Sequence, residues 1–149
     1  MSARYDGLEF RTPLEAQWAA FFDLVGWRWR MSPAAVDNWR PDFEVCFECS
    51  HPACSGSLTL LVAVLPIEKL SDFEGHPCLS RSNRANRGRP QWVADAGAAF
   101  GMNPSVTKWK VAGKGSRETF DVHSLVDGAD ELWAAAGNQV AQLRPCVIR

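Results

Sequence analysis

The run LTLLVAVLPI (58–67) is apolar at nearly every position and shows no polar alternation. A strand of this kind is buried on both faces, so it belongs in the middle of a sheet with a layer on either side. Its ten residues are far too few to cross a bilayer. The start of the chain, MSARYDGLEF, carries no apolar signal-peptide core, and the expected location is cytoplasmic. A length of 149 residues suits one domain, 1–149, with a core of useful size. An apolar content of 46% against 22% charged residues excludes a disordered chain. The net charge of −1 gives no global sign of a nucleic-acid partner, so such a sign must come from local clustering.

Around that strand the other elements fall into order. In RTPLEAQWAAFFDLVG, Thr12 is placed as N-cap, Pro13 at the first helical position and Glu15 at the third, an arrangement of the capping-box type. Leu14, Trp18, Phe21, Phe22 and Val25 follow at helical spacing and Gly26 is a natural stop, so a helix is predicted over 13–25. WRWRM (27–31) and PDFEVCFE (41–48) alternate as strands. The long segment from Ile67 to Pro90 has no sustained period and reads as a loop or short helical turn. QWVADAGAAFG (91–101) reads as a helix, SVTKWKVAG (105–113) as a strand, and SLVDGADELWAAAGNQVAQL (124–143) as a closing helix. The order α-β-β-β-α-β-α, without a repeat or linker, describes one α/β domain. Seven tryptophans against one tyrosine point to a core built on large rings.

Two carboxylates stand out. Glu15 serves as a cap residue, but Trp18, Ala19 and Phe22 lie three, four and seven positions on, which puts it at the margin of the apolar stripe. A carboxylate there loses hydration unless something positive meets it. Asp42, in NWRPDFEV, heads a strand and shares a face with Glu44, opposite Phe43. Alone, it is no more than a turn-to-strand junction.

Together these stretches resemble the PD-(D/E)xK nuclease superfamily, and more narrowly its small phage and bacterial members. The likeness is carried by FRTPLEAQWAAFFDLVGWRW (10–29) and RPDFEV (40–45), and weakly by ELWAAAGNQVAQL (131–143). It implies a restriction-endonuclease-like αβββαβ core, with a central mixed sheet flanked by helices, and Mg²⁺-dependent phosphodiester hydrolysis. On that likeness Glu15 and Asp42 match metal ligands, and the next strand should add a glutamate and, two residues on, a lysine. Hard oxygen ligands hold Mg²⁺ and a cation offsets charge building on the phosphate, so the chemistry is coherent. Here the strand reads LVAVLP, with Ala63 in the glutamate position and Leu65 in the lysine position. Alanine binds no metal and leucine activates no water, so the implied protein is a nuclease fold without a nuclease site. Glu44, on Asp42's face, and Lys69, four residues past Leu65, are the residues that would have to substitute in an active DNA endonuclease.

Two further clusters carry chemistry. Cys46, Cys49, His51 and Cys54 fall within nine residues, and His76 and Cys78 follow later. In a reducing compartment the cysteines are thiols or metal ligands rather than disulfides. Four ligands so tightly spaced would strain a tetrahedral zinc site, whereas a set such as Cys49, Cys54, His76 and Cys78 would not. The alternative is a hairpin with incidental thiols. Arg81, Arg84, Arg87 and Arg89 form the one concentrated basic patch, and the first three recur every third residue. Such a patch suits phosphate contacts with Trp92 stacking on a base, an acidic protein surface, or simply a solvated loop. Trp27, Trp29 and Trp39 are expected in the core or on a sheet face, and His123 as structural. The functions these features imply are a catalytically degenerate nuclease-like protein binding DNA in a phage, mobile-element or defence setting, or a module docking on a larger host or defence complex as an inhibitor or subunit.

Overall fold

The computed structural model describes residues 2–31, 40–48, 57–74, 96–112 and 117–142. It is a mixed α/β arrangement with a six-stranded mixed sheet, a smaller three-stranded sheet and flanking helices.

The predicted first helix, α1 (Pro13–Val25), forms as its caps dictate. The Thr12 hydroxyl accepts from the Glu15 amide at 3.2 Å, and Gly26 closes the helix in the left-handed region at φ 81°. Its buried face is Ala16, Trp18, Ala19, Ala20, Phe21 and Phe22. The chain then runs through β3 (Arg28–Met31), β4 (Phe43–Glu48) and β5 (Ser57–Val64), each antiparallel to the one before. The continuous apolar strand β5 does lie inside the sheet. Its Leu60 and Val62 pack with α1, while Leu61 and Ala63 face a second, smaller cluster with Phe73, Ala99 and Val106.

Next to β5 runs β6 (Ala96–Phe100), parallel to it, followed by the hairpin β7 (Thr107–Ala112) and β8 (Arg117–Phe120). The helix expected over 91–101 is therefore a strand over its described part. Its alanines favour helix locally, but all five residues of β6 are buried between two neighbouring strands, and burial on both faces overrides a propensity of tenths of a kcal/mol. Gly101 follows this strand and must be glycine, since a Cβ there would stand 2.5 Å from the Ile67 carbonyl oxygen. The stretch expected as a loop or short helical turn contains, in its described part, a 3₁₀ turn, Leu70–Phe73, which delivers Phe73 to the second cluster.

The closing helix also differs. It is broken into α2 (Val122–Leu125) and α3 (Ala129–Asn138), with Asp121 capping the first and Gly128 at φ 69° between them. A hairpin not foreseen at the N-terminus, β1 (Ala3–Tyr5) and β2 (Leu8–Phe10), turns at Asp6 and Gly7 with φ 51° and 77°. Asp-Gly between short apolar stretches is the sequence signal for such a turn. The last strand, β9 (Ala141–Gln142), adds to β1.

Trp18 organises the core where α1, α3 and the sheet meet. Its ring lies 4.4 Å from Trp133, 4.7 Å from Phe100 and 5.3 Å from Phe21, and its indole N–H donates to the Gly101 carbonyl at 3.0 Å. Trp27 stacks on Phe47 at 4.2 Å and Trp29 packs on the same core, so these rings are structural, as expected. Trp39 lies outside the described residues. His123 is exposed and reaches Asp130 at 3.2 Å.

Candidate functional site

The start of α1 and the head of β4 meet, because Asp42 precedes Phe43 and its backbone amide donates to the Val62 carbonyl of β5 at 2.8 Å. Asp42 is thereby pinned beside the end of β5, and its Oδ2 accepts the Val64 amide at 2.8 Å. Its other oxygen, Oδ1, takes a close ion-paired hydrogen bond from the Arg11 guanidinium. The same nitrogen of Arg11 donates to Glu15 Oε1 at 3.0 Å. Glu15 Oε2 in turn accepts the Thr12 hydroxyl at 3.2 Å. Sequence-distant Glu15 and Asp42 are thus brought to one place, with a single cation clamped across them.

Burial explains why the cation is there. Glu15 is only 8% exposed, and an unpaired carboxylate at that depth would be costly. Arg11 supplies the charge from the surface, with its side chain 77% exposed. Arg11 lies inside the FRTPLEAQW stretch that carries the resemblance and four residues before Glu15, but the sequence reading gives it no role of its own. The two carboxylates against one guanidinium leave a net charge of −1, and burial, the main cause, raises the Asp42 pKa above the ordinary carboxylate value. The Val64 amide and Arg11 pull it down and the Glu15 charge pushes it up. Arg11 is held more firmly protonated, mainly by its bond to Glu15. A cleft of about 500 Å³ opens beside the group, walled by Leu14, Val64, Pro66 and Met102.

Asp42 releases its proton less readily when folded than when unfolded. Its contribution to stability is therefore fully present at low pH and is lost as pH rises through the raised value. Arg11 offsets that loss. Arg11→Ala is expected to lower stability by about 1–2 kcal/mol at neutral pH, a modest figure because the guanidinium is largely exposed. The loss should shrink in acid, where Asp42 is neutral. Urea denaturation at two pH values checks this, and an equal loss at both would contradict it.

The remaining sequence-predicted residues are placed elsewhere. Ala63 is 2% exposed and faces Phe73, Ala99 and Val106 on the side of the sheet away from α1, with Leu65 packed against the same cluster. Glu44 is tied to Arg30 at 2.5 Å across the β3–β4 pair. Lys69 is exposed at the start of the 3₁₀ turn, and among the described residues no hydrogen bond or ion pair joins it or Glu44 to Asp42 or Glu15. Cys46 lies on β4, half-buried, 3.6 Å from an Arg28 nitrogen. Its proposed zinc companions Cys49, His51, Cys54, His76 and Cys78 lie outside the described residues, as do Arg81, Arg84, Arg87, Arg89 and Trp92.

A resident Mg²⁺ does not fit the Glu15–Asp42 pair. Two carboxylates are a sufficient protein donor set for that ion in principle. Here, however, the guanidinium already spans them, and the methyl group of Ala63 is turned into an apolar cluster instead of adding an oxygen. Among the described residues no group of three or more His, Cys, Asp or Glu side chains comes together in a metal-binding arrangement. No helix among them is long and apolar enough to cross a membrane. Comparison with protein families, curated proteins and solved structures finds no match for this chain.

Proposed function

We propose that this chain is a non-catalytic nuclease-like domain of the PD-(D/E)xK type that binds nucleic acid. The reading is supported by the succession of α1, the antiparallel strands β3 to β5 and a further strand β6 parallel to β5. It is supported also by the meeting of Glu15 and Asp42 where that core would hold its metal. The single observation that carries it is the Arg11 bridge, which fills the cation's place while the strand that should complete the site offers Ala63 and Leu65. Hydrolysis then has neither its metal nor its water-activating lysine, and binding is the function left to the fold. Arg81, Arg84, Arg87 and Arg89 supply the phosphate contacts and Trp92 a stacking surface, in the setting of a phage, mobile element or defence system.

One experiment with DNA, run with and without Mg²⁺ or Mn²⁺, tests both halves. Binding is expected to weaken steeply with salt and to be lost when the four arginines are replaced by glutamine. The DNA is expected to stay uncut. Absence of binding at low salt would sink the reading and favour docking on a larger protein complex.

A further inference from the structure

We infer that the face of the sheet opposite α1 carries a second phosphate-contact site, a groove over β3 to β5 built on Arg28 and Arg30. The groove has a volume of about 390 Å³ and is lined by Arg28, Trp29, Arg30, Glu44, Cys46 and Thr59. It arises from the alternation of β3: Trp29 turns to the core, so Arg28 and Arg30 turn together to the other side. Two residues along a strand separate their attachment points by about 6.6 Å, which sets two guanidinium groups in a row.

Their charges are not equivalent. Arg30 is anchored by one nitrogen to Glu44 at 2.5 Å and is still 63% exposed, so its other donors remain open to a ligand. Arg28 is exposed, and among the described residues the only bond of its side chain is the weak one to the Cys46 thiol, 3.6 Å away. Two guanidinium groups against one carboxylate give this groove a net charge of +1. The cluster of Arg11, Glu15 and Asp42, with two carboxylates against one guanidinium, has −1. An anionic backbone is drawn to the first and repelled from the second. A nucleic acid strand therefore lies along β3 and not across Asp42. This site rests on the nucleic-acid reading above and gives it a location distinct from the nuclease-like centre. A plainer role for charges on the outermost strand of a sheet is to block pairing with another chain, and that role predicts aggregation on their removal, not altered binding.

The test measures affinity for single-stranded and duplex DNA across a salt series, using the full chain. Arg28→Gln should reduce the slope of log affinity against log salt by about 0.7–0.9, the value of one lost phosphate contact, and Arg28→Lys should retain it. Arg30→Gln is made together with Glu44→Gln, so that no carboxylate is stranded, and should remove a similar increment. If Arg28→Gln binds with the wild-type slope while the quadruple Arg81, Arg84, Arg87 and Arg89 variant loses binding, the groove is overturned and the nucleic-acid reading stands. Aggregation of Arg28→Gln with an unchanged slope for the soluble fraction overturns it equally, in favour of edge protection. If wild type binds polyglutamate and not DNA, or binds no DNA at low salt, both the groove and the reading fall.

Discussion

Ala63→Glu is expected to destabilise the protein by about 3–5 kcal/mol and to confer no nuclease activity. The substitution restores on paper the carboxylate that the nuclease pattern requires. In the fold, residue 63 is 2% exposed and its side chain meets Leu61, Phe73, Ala99 and Val106, none of which can accept or donate a hydrogen bond through its side chain. A glutamate there must either stay ionised without a partner or take up a proton and still lack one. Phe73 of the 3₁₀ turn belongs to the same buried cluster, so the added side-chain volume also overpacks it. For a chain of this size the loss corresponds to a fall in melting temperature of roughly 10 °C or more. The fall should ease in acid, where the new carboxyl is neutral. A folded Ala63→Glu protein of wild-type stability that nicks DNA with Mn²⁺ would refute the placement of this residue.

Trp18→Ala is expected to cost a similar amount, about 3–5 kcal/mol. Trp18 is fully buried and joins three parts of the molecule, with Phe21 and Phe22 on its own helix, Phe100 on β6 and Trp133 on α3. Truncation leaves a cavity the size of an indole ring and removes the donor of the Gly101 carbonyl. Trp18→Phe should recover much of the packing but not the hydrogen bond, and so fall between the two. Thermal unfolding of the three proteins checks the order. A Trp18→Ala protein within about 1 kcal/mol of wild type would mean that α1 and α3 are held together by something else.

The parts of the fold that were legible in the sequence share a cause. Where the local signal and the packing agree, as in the capped helix 13–25 and the two-faced strand β5, the elements form where periodicity puts them. The segment Ala96–Phe100 misleads because its alanines report helix propensity, whereas its conformation is set by β5 and β7, which are far away in sequence or joined only through a turn. The break at Gly128 shows the same limit on a smaller scale: Asp-Gly inside an apparently periodic stretch is a turn signal, and it outweighs the period. At the candidate site, Glu15 and Asp42 were readable from motif and pattern, and the structure brings them together. Arg11 was readable only as a helix-spaced partner of Glu15, because that spacing does not reveal that the same surface cation also reaches Asp42 on a different element.

We propose that the arginine-bridged pair is a nuclease-like centre without cleavage activity. This is tested most directly by incubating supercoiled DNA with the wild-type chain and Mg²⁺ or Mn²⁺, beside Asp42→Ala under the same conditions. Intact plasmid is expected with both proteins. Metal-dependent nicking by wild type that disappears in Asp42→Ala would contradict it.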